Sequence, residues 1–150
     1  MQSVADARLP VPVVPAHVGK ETVLAIVSTI AALLALILVG LSLRVSAVRR
    51  SAGVSVGDGG NPLLLARIRA HANFVEYVPI ALILLLLVEQ QAGSGAFALA
   101  MGAILVVSRL LHPIGMELPA PNLFRVAGTL GTWVVLVVMA GALLAGVLSR

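Results

Sequence analysis

From Leu24 to Leu43 no charged side chain interrupts the chain. A helix of about 20 residues, rising about 1.5 Å each, crosses the roughly 30 Å hydrocarbon layer of a bilayer. Three further apolar runs follow, over about Leu63–Val88, Ala96–Leu111 and Leu123–Leu148. Short polar connections separate them. Hydrophobic residues make up 60% of the 150, only 11% are charged, and the mean hydropathy is +1.11. An average soluble domain carries about 25% charged residues, so this composition belongs to a membrane protein. The apolar mass is aliphatic. Trp133, Tyr77 and three Phe are all that could form an aromatic belt.

The expected fold is therefore all-α: an integral membrane four-helix bundle running up-down-up-down, because the loops are short. The first span ends in Arg44, Arg49 and Arg50, and SAGVSVGDGGNP after it reads as a turn-rich loop. The third run is expected to break at His112-Pro113, ahead of MELPAPN. Residues 1–21, with Pro10, Pro12 and Pro15, read as an irregular tail without the pattern of a cleaved signal peptide; residues 22–150 form the membrane domain. Arg44, Arg49, Arg50, Arg67, Arg69, Arg109 and Arg125 fall on one side, against Arg8, Lys20 and Arg150 on the other. The positive-inside bias then puts the Arg-rich loops in the cytoplasm and both termini outside, in the inner membrane if the source is bacterial.

A net charge of +4 does not imply nucleic-acid binding, since the ten basic residues are scattered and build no continuous basic face. The absence of cysteine excludes disulfides, thiolate metal sites and a cysteine nucleophile of the protein's own, and no metal site is expected.

The polar residues inside the second run are the functional signal. Arg69, Asn73 and Glu76 stand at i, i+4 and i+7, within an arc of roughly 60° on one helical face. Tyr77 lies at the edge of that arc, and His71 points roughly 160–200° away, toward another helix or another subunit. A helix starting near Pro62 places Glu76 about 20 Å along its axis, where a charge costs on the order of 2.5–3.5 kcal/mol. Such groups face protein or a water-filled cavity. A bare Arg69–Glu76 pair locking the bundle is the competing structural reading. Arg109 and His112, at i and i+3, and Arg125 at the start of the fourth run add cations in the same leaflet. The surplus of Arg points to an anionic ligand, because guanidinium groups bind carboxylates bidentately. A ligand with two carboxylates, an ammonium and amides satisfies the set, and glutathione is such a molecule.

The pattern Arg-x-x-x-Asn-x-x-Glu-Tyr-x-Pro, here Arg69, Asn73, Glu76, Tyr77 and Pro79 on the second of four helices, resembles the membrane-associated proteins in eicosanoid and glutathione metabolism, the MAPEG family. RAHANFVEYVP and GDGG look like its short bacterial branch, and the resemblance covers about residues 22–149. It implies a homotrimer with glutathione held between adjacent subunits near the cytoplasmic leaflet. Arg69, Asn73 and Glu76 would bind glutathione's polar ends, with Tyr77 beside them. Arg109 and His112 match an Arg-x-x-His of the prostaglandin E synthase branch. Arg49, or alternatively Arg44, matches a binding Arg of the first helix. Arg125 falls where an Arg stands near the glutathione sulfur, and a cation there favours the thiolate.

The function so implied is a glutathione-dependent transferase or peroxidase acting on a small apolar electrophile that arrives from the lipid. The alternative is a glutathione-binding or structural membrane protein without turnover. Eicosanoid-producing members carry tyrosines where Met116 and Thr129 stand here. A solute channel is disfavoured, since the polar residues end near Glu76 and ALILLLLV seals the other half of the helix.

Overall fold

The computed structural model describes residues 20–92 and 95–149. It contains four helices, α1 (Lys20–Ala52), α2 (Pro62–Ala92), α3 (Gly95–Glu117) and α4 (Leu123–Leu148), and each is long and apolar enough to cross a membrane. The tail expected over residues 1–21 lies outside the described residues, apart from its last two positions, which already belong to α1.

Neighbouring helices run antiparallel. Arg44 near the end of α1, Arg67 near the start of α2 and Glu117 at the end of α3 meet at one end of the bundle. At the other end Ile26 of α1 packs beside Gly95 of α3, and Gln91 of α2 beside Gly146 of α4. Helices α2 and α3 form the middle of the bundle and each touches both outer helices, whereas α1 and α4 do not pack on each other. The shared core is apolar: Leu34, Phe74, Ala81, Leu85, Leu105, Val135 and Met139 are all buried in it. The outward faces of all four helices carry exposed Leu, Val and Ile, as lipid contact requires.

Local chemistry sets the helix ends. α1 continues past the uncharged run to Ala52, because Arg44, Arg49 and Arg50 are good helix formers once clear of hydrocarbon. Gly53 then adopts φ +66°, and the Val54 N–H bonds back to the Arg49 carbonyl at 3.0 Å, a Schellman-type stop. Asn61 caps α2 by accepting from the Leu64 N–H at 3.1 Å, with Pro62 at the first helical position. Asn122 caps α4 by accepting from the Arg125 N–H at 2.9 Å, and its own amide donates to the Gly115 carbonyl at 2.8 Å. That one side chain ties the start of α4 to the end of α3.

The break expected at His112-Pro113 does not occur, since α3 runs on to Glu117. Proline removes a single ladder bond. Against that loss, His112, Pro113 and Gly115 are buried, and Glu117 accepts from Arg44 Nη2 at 2.6 Å and Arg67 Nε at 2.9 Å. Tertiary anchoring of the last turn outweighs the missing bond.

Candidate functional site

α3 and α4 approach so closely that backbone meets backbone, with Gly128 seated against His112 and Gly115 against Arg125. This contact fixes the site's geometry. Arg109 and His112 lie on the α3 face turned toward α4, and both are buried. Arg109 Nη2 donates to the Gly128 carbonyl at 2.9 Å and to Thr132 Oγ1, while Nη1 crosses to α2 and donates to Asn73 Oδ1 at 2.9 Å. Three helices are thereby joined through one guanidinium.

The α2 face behaves differently. Arg69 and Glu76 are exposed, Asn73 and Tyr77 half-buried. The Arg69–Glu76 pair that would have accounted for both charges does not form: the ion pairs among the described residues are those of Glu117 with Arg44 and Arg67. Arg125, one helix away, is also exposed. Beside it runs a groove of about 430 Å³, lined by Pro121, Asn122, Val126, Thr129 and Leu130. Two cations and a carboxylate thus face outward on helices whose exposed faces are mostly apolar.

Arg49 does not join this group. Its Nη1 donates to the carbonyls of Gly57 at 2.8 Å and Ser55 at 3.4 Å in the α1–α2 loop. It lines a separate cavity of about 310 Å³ between α1 and α2, together with Ser42, Ser46 and His71. Arg44, the alternative first-helix candidate, is occupied by Glu117. His71 therefore faces α1, on the side of α2 away from Arg69. Ser42 Oγ lies 2.9 Å from the Leu38 carbonyl and 3.0 Å from His71 Nε2, so the hydroxyl joins the imidazole to the α1 backbone.

Sequence reasoning placed His71 on the other face but did not assemble this second cluster. A signal was available: Ser42, Ser46 and Arg49 repeat the i, i+4, i+7 spacing that singled out Arg69, Asn73 and Glu76. Hydroxyl groups in an apolar helix draw less notice than charges, since they bond to their own backbone.

α2 thus carries two polar clusters on opposite faces, which a single bundle cannot bring together. Comparison with known proteins agrees with the architecture. The sequence is similar to the inner membrane protein YecN of Escherichia coli K12, 37% identical over 111 residues that cover 73% of this chain and 82% of the relative. YecN of E. coli O6:H1 matches to the same extent. The family model described as "MAPEG family" matches residues 27–145. With four membrane-spanning helices and these matches, the chain is an integral multi-pass membrane protein that belongs to the MAPEG family.

Proposed function

We propose that the chain is a glutathione-binding membrane protein, working as a homotrimer and as a glutathione-dependent transferase or peroxidase on small apolar electrophiles. The observation that carries this reading is the pair of clusters on α2. Arg69 and Glu76 are exposed on one face, with Arg125 exposed on α4, while on the other face His71 lines a cavity with Arg49 of α1. Charges at this depth need partners. A second copy of the chain, apposing its α1–α2 face to the Arg69 face of the first, closes a polar chamber at each seam. In the family orientation that chamber opens toward the cytoplasm.

Each group has a role matched to its chemistry. Arg69 and Arg49 of the adjoining copy hold the two carboxylates, Glu76 the ammonium, and Tyr77 offers a phenol beside them. His112 flanks the sulfur end, and the Arg125 guanidinium faces the thiol, which loses its proton to water at the mouth of the chamber. The electrophile enters from lipid along the groove beside Arg125, lined by Pro121, Val126 and Leu130. In conjugation the thiolate attacks the electrophilic carbon and a carbon–sulfur bond forms. The bond to the leaving group breaks, and that group departs with the electron pair. Position and charge are the protein's whole contribution.

Calorimetric titration of glutathione into the detergent-solubilised protein tests the binding, with Arg69→Ala expected to weaken it at least about tenfold, the loss of one charge-assisted hydrogen bond. Arg125→Ala should retain binding while conjugation of a chloronitroaromatic falls. Thiolate absorbance that is the same with and without protein would remove the catalytic half of the proposal. A second reading, binding without turnover, draws support from Met116 and from Thr129, whose hydroxyl is committed to the Arg125 carbonyl at 2.9 Å. Glutathione affinity with no conjugate across a panel of electrophiles would select it.

A further inference from the structure

Arg109 is 1% exposed, and every acceptor it meets among the described residues is uncharged. The Thr132 hydroxyl donates to the Gly128 carbonyl at 2.8 Å and so receives Arg109 Nη2 on a lone pair. Asn73 Oδ1 receives Nη1 at 2.9 Å. A guanidinium has donors only, so the amide of Asn73 has one admissible orientation. Turned over, it would set N–H groups against N–H groups inside the bundle. The carbonyl oxygen must face Arg109, and Nδ2 must face away.

Nδ2 has surface to work with. Among the described residues the side-chain atoms that are both buried and partnerless are the two Glu89 oxygens and Arg109 Nε. Asn73 Nδ2 has no bond partner there either, so it keeps access on the face it shares with Arg69 and Glu76.

We infer that Arg109 is a positioning residue that locks Asn73 as a one-way donor, so that the site accepts a carboxylate or carbonyl oxygen at this point and refuses an ammonium. An unfixed amide can present either end to a ligand. A fixed one discriminates, since an ammonium brought to Nδ2 leaves donors facing donors. The ligand's cationic end is thereby assigned to Glu76, one helical turn away. This inference rests on the glutathione reading of the α2 face, and it removes Arg109 from the groups that touch the ligand.

The experiment uses the full-length protein in detergent, with two readouts: melting of the unliganded protein and calorimetric affinity for glutathione. Asn73→Asp presents a carboxylate oxygen to Arg109 and should melt no lower than the parent, yet bind glutathione at least tenfold more weakly. Asn73→Leu leaves Arg109 Nη1 without an acceptor and should melt lower. Arg109→Met should weaken glutathione binding in the parent but cause no further loss on an Asn73→Ala background. Parental affinity in Asn73→Asp, or a full additive loss from Arg109→Met on that background, overturns the inference. If the parent does not bind glutathione, the functional reading falls, and the melting arm still judges the lock. Equal destabilisation by Asn73→Asp and Asn73→Leu then overturns it, and retention by Asp alone upholds it.

Discussion

Replacing Gly128 with alanine tests the close α3–α4 crossing on which the site's geometry depends. A Cβ there would sit 2.7 Å from the His112 nitrogen and 2.8 Å from its Cα and Cβ, whereas ordinary contact begins at 3.4 Å. The obstruction is backbone and cannot rotate away, so the helices must part by about 0.7 Å to restore ordinary contact, the shortfall between 2.7 and 3.4 Å. Such overpacking costs about 1–3 kcal/mol. The same opening stretches the 2.9 Å bond from Arg109 to the Gly128 carbonyl beyond the usual limit of roughly 3.2 Å. A hydrogen bond to a charged group contributes about 1.5–3 kcal/mol. The combined loss is about 3–5 kcal/mol, equivalent to a melting temperature lower by roughly 10 °C for a chain of this size. The assay is thermal unfolding in detergent, followed by helical circular dichroism. Gly141→Ala, also on α4 and with nothing within 4 Å of the added Cβ, is the control, expected to be neutral or slightly stabilising. If the two variants melt together, the backbone contact is not what holds α3 to α4.

Glu117→Gln should destabilise the bundle by about 1–3 kcal/mol, because Arg44 and Arg67 lose their shared carboxylate. Amide exchange in the last turn of α3 should quicken with it; unchanged exchange there would mean that the ion pairs do not hold the turn. Glu89→Met should raise the melting temperature, by about 1–3 kcal/mol of stability, since both carboxylate oxygens are buried without a partner among the described residues. A lower melting temperature would refute that account. Co-expression of Arg69→Ala with Arg49→Ala should yield mixed oligomers that recover part of the glutathione binding lost by each variant alone. In those mixtures some seams combine an intact Arg69 face with an intact Arg49 face. No recovery would place the binding site inside one subunit.

The four helices were legible because apolar length is a direct measure of lipid compatibility, and the uncharged Leu24–Leu43 needed no other argument. Helix ends were less so. Hydropathy marks where hydrocarbon ends rather than where helix ends, which is why α1 extends to Ala52 beyond the predicted span. The continuation through Pro113 depended on Glu117 meeting Arg44 and Arg67, 73 and 50 positions away in the chain, and local pattern carries no such distances. In the candidate site, the shared face of Arg69, Asn73 and Glu76 followed from helical arithmetic. The division between groups turned outward and groups turned inward did not. Arg109 and Arg69 are equally charged residues in apolar helices, yet Gly128 and Thr132 of α4 accept from the first while the second is exposed among the described residues.

The bundle's connectivity also orders its biogenesis. α1 leaves the ribosome ahead of the other three helices, and its uncharged stretch is at ease in lipid while it waits for the two middle helices it will pack on. α3 has no such freedom. Its Arg109 enters the bilayer at a cost on the order of 2.5–3.5 kcal/mol, and two of its three bonds are to α4, a helix made after it. Membrane insertion of the third helix is therefore completed by the fourth, and a nascent chain truncated before Gly128 would leave that guanidinium without its acceptors on α4.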